Sequence, residues 1–365
     1  LRPVEDAGLV VVGGGGLLYD EDAANVGNYT APLRFAAECG VPAAVLGVGT
    51  QGIRSPFARA AYGHALRLAR LVTVRDPEDA VVLREQCGVD DVAVTADLAF
   101  TLPELESRWL PSPERPGAGA ARPLALVSLG KTLDAATGEA GFLRRTMTEL
   151  VGALAATHEV VLAQHSIDDE ETYAAVEAET GARRLALAEL GVRAALEIYA
   201  SAELVVTSRY HGVVFAALGG APVVPVVPVR SRFDKTARLI AQGLPSLSPA
   251  TIRLAEGERP RLAAAALATE ARIASRDEVS ALRAAASRNL DLLASALLDP
   301  PTRAALVLAL RPREDSPPES PGGAFATADV AVSDRSGRVT LAHPEQENRS
   351  GLAGLDPMPP PIRVS

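Results

Sequence analysis

The strongest chemical signal in the sequence lies where an apolar run, residues 204–206, meets a helix pattern of small residues. Ser208, Arg209 and His211 fall together at this junction. An arginine there can bind a phosphate or carboxylate through two parallel hydrogen bonds, and the N–H groups of the following helix add anion affinity. A histidine can transfer a proton near neutral pH. A structural alternative, with His211 as a cap and Arg209 in an ion pair, explains less of this clustering.

Four consecutive glycines, residues 13–16, follow an apolar run at residues 9–12. Gly14, Gly15 and Gly16 would let a backbone approach a ligand closely, and free N–H groups there can cradle an anion. The spacing matches neither a Walker loop nor a dinucleotide fingerprint. A tight turn between a strand and a helix is the structural alternative.

Two further charged positions follow apolar runs. Arg75 stands after residues 72–74, and Asp97 stands after residues 92–95. Arg75 can clamp an anion, but Asp76 followed by Pro77 is also typical of a capped helix start, with the arginine in a surface ion pair. On spacing alone the structural role is favoured for both Arg75 and Asp97.

The remaining candidates carry weaker signals. Gln164 and His165 follow the apolar residues 160–163, so His165 is either a ligand contact or a solvated loop histidine. Lys235 lies in a predicted helix, where a solvated face is the simpler interpretation. No spacing of histidine, cysteine and carboxylate residues indicates a metal site.

Short apolar runs alternate with longer amphipathic stretches, which predicts parallel, doubly wound sheets. Strands are predicted at residues 9–12, 43–48, 72–74, 92–95, 124–129, 160–163, 204–206 and 223–227. Helices are predicted at residues 32–39, 55–69, 77–86, 142–156, 170–179, 192–201 and 233–242, with further helix over 260–298.

The alternation is interrupted once and then ends. The sequence predicts an N-terminal Rossmann-like domain over 1–102, a linker over 103–123 and a C-terminal Rossmann-like domain with closing helices over 124–310. Residues 311–365 hold nine of the 27 prolines and no sustained apolar pattern, so a disordered tail is predicted. A ligand would bind in the cleft between the two domains.

Composition limits the class of protein. The chain has 365 residues, of which 48% are hydrophobic, and a net charge of −9, so nucleic-acid binding is not expected. Its two cysteines, Cys39 and Cys87, favour packed thiols in a reducing compartment. No apolar run reaches transmembrane length and no signal peptide is visible, so a cytoplasmic location is expected, with peripheral membrane contact left open.

Several stretches together, in this order, resemble the polysaccharide pyruvyl transferase family. They are LVVVGGGGLLYDE (9–21), VLGVGTQG (45–52), VTVRDPEDAVVLREQCGV (72–89), VTADLAF (94–100), VVLAQH (160–165) and SRYHGVVFAALGGAPVVPV (208–226). The resemblance covers residues 8–245 and implies a two-domain fold similar to GT-B glycosyltransferases. It also implies transfer of the enolpyruvyl group of phosphoenolpyruvate onto two hydroxyls of a sugar, giving a cyclic ketal and phosphate.

The resemblance also implies roles for individual residues. Arg209 and His211 match the family's Arg-x-His signature, Arg75 matches the arginine of a strand-ending motif, and Lys235 matches a basic residue after the last strand. His211 would then do acid–base work while the arginines hold the two anionic groups of the donor. No cofactor is expected, and the acceptor would be a sugar of a cell-surface glycan or its precursor, carried on a lipid, a nucleotide or the polymer.

The sequence departs from the family pattern at three places. A first Gly-rich loop of the GNxGD kind is not seen, Asp79 stands where a serine is more usual, and Lys131 follows Gly130 where an arginine is often found. Two rival functions stay open at this point. One is a GT-B glycosyltransferase that uses a nucleotide-sugar, although no ribose-binding glutamate follows residues 219–220. The other is a sugar- or anion-binding homologue without turnover.

Overall fold

Two mainly parallel sheets, each flanked by helices, form the body of the protein. The computed structural model describes residues 2–21, 23–102, 122–228, 234–254, 264–297, 329–334 and 339–342. Strands and helices alternate along both halves. The fold is therefore a two-domain, GT-B-like α/β fold, as the sequence predicted. Most of the predicted linker, residues 103–121, lies outside the described residues, and the domain boundaries stay a prediction.

The N-terminal sheet is built from four parallel strands in sequence order. Its strands are β1 (Ala7–Leu18), β2 (Ala43–Thr50), β3 (Leu71–Val74) and β4 (Ala93–Val94). Its helices are α1 (Arg2–Glu5), α2 (Ala23–Glu38), α3 (Pro56–Leu66) and α4 (Pro77–Cys87), and a short 3-10 helix (Leu98–Thr101) follows β4. Asp76 caps α4 by accepting a hydrogen bond from the backbone N–H of Asp79, so the predicted cap is confirmed.

The four glycines at residues 13–16 lie inside β1 and do not form a turn into a helix. β1 runs through them to Leu18, and Gly14 and Gly15 take φ values of 80° and 89°. The turn expected from the sequence is therefore wrong. Left-handed backbone at two positions bends the strand end, which only glycine accommodates without strain.

The C-terminal sheet has six parallel strands in the order β10-β9-β8-β5-β6-β7. The strands are β5 (Leu124–Ser128), β6 (Glu159–Gln164), β7 (Arg183–Ala186), β8 (Leu204–Thr207), β9 (Val223–Pro228) and β10 (Ile252–Leu254). The helices are α5 (Thr132–Thr137), α6 (Phe142–Leu154), α7 (Glu170–Thr180), α8 (Leu187–Ser201), α9 (Tyr210–Gly219), α10 (Lys235–Gly243), α11 (Ala264–Glu270) and α12 (Arg276–Leu297). Strand order reverses at β5, between β8 and β6, and such a switch point opens a crevice at the carboxyl ends of the strands.

The two halves share apolar and polar contacts. Phe100, which follows the N-terminal sheet, is fully buried in the cluster that contains Val213 and Val214 of α9. Helix α12 crosses back to the N-terminal sheet, where Leu293 packs beside Leu46 and Asn289 donates to the carbonyl of Ala96 at 3.1 Å. These contacts bring the carboxyl ends of both sheets together.

Two described segments fall within the predicted disordered tail. Both are strands: β11 (Asp329–Asp334) pairs antiparallel with β1, and β12 (Val339–Ala342) pairs antiparallel with β11. For these ten residues the prediction of disorder is wrong, because each segment alternates apolar and polar residues over a length that suits a strand. The rest of the tail lies outside the described residues.

The helices were also checked against the length and hydropathy that crossing a bilayer requires. None of those in the described part of the chain is long and apolar enough to do so.

Candidate active site

Arg75 follows β3 and points into the space between the two sheets. Its side chain is only 1% exposed, and Nη1 donates to Oδ2 of Asp97 at 2.9 Å. The guanidinium carbon lies 4.2 Å from the ring centre of Tyr210, a residue of the opposite half. Arg75 is therefore held both by its own domain and by the other.

Glycines at two neighbouring strand ends make room for this arginine. A Cβ atom built at Gly49 would lie 2.4 Å from Nε of Arg75, and one built at Gly16 would lie 3.1 Å from Nη2. Gln51 closes the same corner by donating to the carbonyl of Gly16 at 2.9 Å. Any larger residue at position 49 must displace the guanidinium.

Two nitrogens of Arg75, Nε and Nη2, are buried and have no hydrogen-bond partner among the described residues. Burial alone would lower the pKa of Arg75, but Tyr210 and Asp97 raise it above its ordinary value, so the side chain stays charged. A buried cation with two unused donors is a site prepared for an anion.

Asp97 links Arg75 to His211. One carboxylate oxygen caps the 3-10 helix by accepting from the N–H of Ala99 at 3.0 Å, and it lies 3.7 Å from Nε2 of His211. Burial would raise the pKa of Asp97, but His211 and Arg75 together bring it below its usual range. The imidazole of His211 is 42% exposed, so it is open to a reactant while its Nε2 faces a fixed negative charge.

Arg209 lies at the switch point of the C-terminal sheet. It precedes α9, its guanidinium forms an ion pair with the buried Asp169, and a Cβ atom at Gly130 would lie 2.6 Å from its Cζ. Burial lowers the pKa of Arg209 to about 10, and Asp168 counteracts this only in part. Ser208 accepts a hydrogen bond from the N–H of Gly130 at 2.9 Å, which joins the ends of β8 and β5.

Lys235 opens α10, directly after the capping residue Asp234. Burial lowers the pKa of Lys235 to about 8, and the positive charges of Arg75 and Arg209 lower it further in the same direction. The sequence alone favoured a solvated helix face for Lys235. The structure instead places it in the electrostatic field of both arginines.

His165 stands beside this cluster in a different environment. Its Nε2 is 2.7 Å from the hydroxyl of the buried Tyr199, and its ring stacks on Phe215 at 6.0 Å. Burial, together with Arg209 and His211, places the pKa of His165 well below its ordinary value, so the imidazole is neutral. His211 stacks on the same phenylalanine ring at 6.0 Å.

Three of the predicted contacts lie elsewhere. The side-chain amide of Gln164 turns inward, donating to Ser166 and Glu170 and accepting from Arg184. Gly14 has only Leu98 near its missing side chain, at 3.9 Å, and Gly15 is buried in β1. Of the three glycines predicted as contacts, only Gly16 lies against Arg75.

Sequence reasoning missed several residues of the site. Gly49, Gly130, Gln51 and Tyr210 were not singled out, and Asp97 was given a structural role. The signal for Gly49 was available, since a glycine at the carboxyl end of a strand often marks a close approach of another group. Among the described residues, no group of three potential metal ligands is found.

Comparison with known families decides the class of this protein. The sequence model of the polysaccharide pyruvyl transferases matches residues 2–228, which is more than half of the chain. The chain belongs to this family. It is therefore a transferase, and the resemblance noted in the sequence is confirmed. A search among curated proteins gives no significant match.

Solved structures of similar fold include three sugar-related enzymes and proteins. UDP-GlcNAc 2-epimerase of Methanocaldococcus jannaschii is 13% identical, with a TM-score of 0.48 over 78% of this chain and 76% of the epimerase. Alr3699/HepE of Anabaena is 16% identical, with a TM-score of 0.41 over 77% and 75%. ADP-heptose heptosyltransferase II of Escherichia coli is 17% identical, with a TM-score of 0.36 over 63% and 72%.

In this pyruvyl transferase, the Gly49→Ala substitution should displace the guanidinium of Arg75, because the new Cβ atom would overlap it. Binding of inorganic phosphate, measured by calorimetry, should weaken about tenfold or more, since charge-assisted hydrogen bonds are lost. Gly27→Ala in α2 is the matched control, because nothing lies within 4 Å of its new Cβ atom. Equal phosphate affinity in both variants would contradict the assignment of Arg75 as an anion ligand.

Proposed function

We propose that this protein transfers the enolpyruvyl group of phosphoenolpyruvate onto two hydroxyls of a sugar, forming a pyruvate ketal and releasing phosphate. One observation carries the proposal. Three cations, Arg75, Arg209 and Lys235, converge beside a histidine that faces a buried carboxylate. Membership of the polysaccharide pyruvyl transferase family supports it.

The donor matches the charges of the cluster. Phosphoenolpyruvate carries a phosphate and a carboxylate on one carbon, so it needs cations on two sides. Arg75 offers its two unused nitrogens from the N-terminal half, while Arg209 and Lys235 approach from the C-terminal half. The neutral His165 adds a polar group beside Arg209 without adding charge.

The reaction requires one proton to be delivered and two to be removed. His211 gives a proton to the methylene carbon of the donor, and the adjacent carbon becomes an electrophile. The first sugar hydroxyl attacks that carbon and loses its proton, which restores the imidazole. The second hydroxyl then displaces phosphate and gives up its proton to the leaving group. Asp97 faces the positive charge that develops when His211 holds the proton.

The acceptor in this proposal is a sugar of a cell-surface glycan or of its precursor, on a lipid or nucleotide carrier. The site supplies the chemistry with side chains and substrate alone. Two free cysteines, Cys39 and the buried Cys87, agree with a cytoplasmic location.

The proposal is tested by thermal unfolding with phosphoenolpyruvate and, in parallel, a panel of nucleotide-sugars. Phosphoenolpyruvate at about 100 times its Kd should stabilise the wild-type protein by about 2.7 kcal/mol. Arg209→Ala should abolish this stabilisation. Arg145→Ala, which removes an exposed arginine of the same half, is the matched control and should keep it.

Three results would contradict parts of the proposal. Stabilisation by a nucleotide-sugar and not by phosphoenolpyruvate would favour glycosyl transfer. Binding of phosphoenolpyruvate without phosphate release, across a panel of sugar acceptors, would favour a binding protein without turnover. Equal stabilisation of wild type and Arg209→Ala would remove Arg209 from the donor site.

His211→Asn tests the proton transfer separately from donor binding. The turnover number for phosphate release should fall roughly a hundredfold to ten-thousandfold, as expected for loss of a general acid or base. The Kd for phosphoenolpyruvate, measured by calorimetry, should change less than about threefold, because the three cations remain. A large loss of donor affinity with unchanged turnover would mean that His211 holds the anion instead.

Donor binding should depend on pH through Lys235. Because its pKa is lowered to about 8, Lys235 loses its charge above that pH, and the Kd for phosphoenolpyruvate should rise by up to about tenfold per pH unit. Lys235→Gln should bind more weakly at pH 7 and show no such rise. A rise that persists in Lys235→Gln would assign the titration to another group.

Unfolding cannot explain this expected loss of binding. Over the interval from pH 8 to the ordinary lysine pKa of 10.5, the unfolded chain binds more protons at this position than the folded chain. The contribution of Lys235 to folding stability therefore rises with pH while donor affinity falls. Melting temperatures recorded at each pH check this separation.

A further inference from the structure

A buried network of charged side chains joins the two halves of the chain next to the candidate active site. Arg238 of α10 donates from Nη1 to Oδ1 of Asp76 at 2.9 Å and to Oδ1 of Asp79 at 3.0 Å. Its Nη2 donates to the carbonyl oxygen of Thr50 at 3.2 Å. The arginine comes from the C-terminal half, and all three acceptors come from the N-terminal half.

The network lies one step along the chain from the proposed donor ligands. Asp76 directly follows Arg75, and Lys235 precedes Arg238 by three residues on α10. Residues three apart on a helix are neighbours on one face. The bridge therefore ties the strand end that carries Arg75 to the helix turn that carries Lys235.

Asp79 extends the tie to a second strand end. Its Oδ1 accepts from both the backbone N–H and the hydroxyl of Thr50, at 2.9 Å and 2.7 Å. Thr50 stands next to Gly49, the residue that makes room for Arg75. A single carboxylate thus fixes the end of β2, the start of α4 and, through Arg238, helix α10.

Arg238 keeps this network together electrostatically. Asp76 and Asp79 are buried side by side, and burial with the neighbouring Asp79 raises the pKa of Asp76 to about 7. Without the arginine, two buried carboxylates would face each other, and their repulsion would separate α4 from α10. The distance across the cleft would then depend on the ligand and no longer on the protein.

We infer that Arg238 is a positioning residue, which sets the separation of Arg75 from Lys235 and Arg209 and so prepares the site for a ligand with two anionic groups. The inference rests on the proposed function, because it takes that ligand to be phosphoenolpyruvate. A ligand that bridges two sides of a cleft binds more tightly when the sides are already in place. A single small anion that one arginine can hold gains much less.

Two ligands separate positioning from general destabilisation. Calorimetry should give a Kd for phosphoenolpyruvate at least about tenfold higher in Arg238→Met than in wild type, while the Kd for inorganic phosphate changes less than about threefold. In phosphate-release assays the KM for phosphoenolpyruvate should rise, with the turnover number at saturation within about threefold. Arg238→Lys keeps the charge but not the three hydrogen bonds, so its donor affinity should be intermediate.

Gln242→Ala is the matched control. It removes another polar contact between α10 and α4, the exposed hydrogen bond of Gln242 to Glu78 at 2.6 Å. It should leave both affinities unchanged.

The outcomes distinguish this inference from the proposed function. If wild type binds phosphoenolpyruvate and folded Arg238→Met or Arg238→Lys binds it equally well, the positioning role is overturned while the proposed function stands. Equal weakening for phosphoenolpyruvate and inorganic phosphate also overturns it, since that indicates a general structural role. Wild-type protein that binds no phosphoenolpyruvate overturns the proposed function and this inference with it.

Discussion

The ion pair between Arg75 and Asp97 is the interaction on which the rest of the site depends. Both side chains are almost completely buried, and removing a charged group from water is costly unless it is paired and hydrogen-bonded. Only one of the guanidinium nitrogens is used by the carboxylate, and two others have no partner. The folded protein therefore carries an incompletely satisfied cation, and the remainder of its stability must offset that cost.

This constraint explains features that are otherwise unrelated. Glycine is required at position 49 because any side chain there would occupy the space of the guanidinium, and Gly130 does the same for Arg209. Tyr210 covers the face of Arg75 and excludes water from it. Since Tyr210 and His211 open the same helix, the contact that shields the arginine also sets the distance from His211 to Asp97.

Much of the fold was predictable because the alternation of strands and helices is written in local sequence. The junction at Ser208–His211 was recognisable for the same reason: several chemical groups sit within four residues at a strand end. The pairing of Arg75 with Asp97 was not, because it joins two strand ends whose relation depends on the sheet. Asp97 looked like a helix cap, and it is one, but only one of its oxygens serves that role alone.

Side-chain direction was a second limit. Gln164 follows the right strand, yet its amide is satisfied inside its own domain, and no sequence pattern distinguishes that from a side chain facing the cleft. The strands β11 and β12 were missed because each is short and lies in a proline-rich stretch. Their antiparallel pairing with β1 and with each other is a long-range contact that a local pattern does not contain.

The two histidines show how position alone separates roles in such a site. His165 and His211 stack on the same ring of Phe215, at equal centroid distances of 6.0 Å. His165 is buried, bonded to Tyr199 and close to positive charge, which keeps it neutral. His211 is partly open to solvent and faces the carboxylate of Asp97. A proton needed by a substrate can therefore be held at His211 while His165 remains a neutral partner, and environments that push two like groups apart are a general way of assigning acid–base roles.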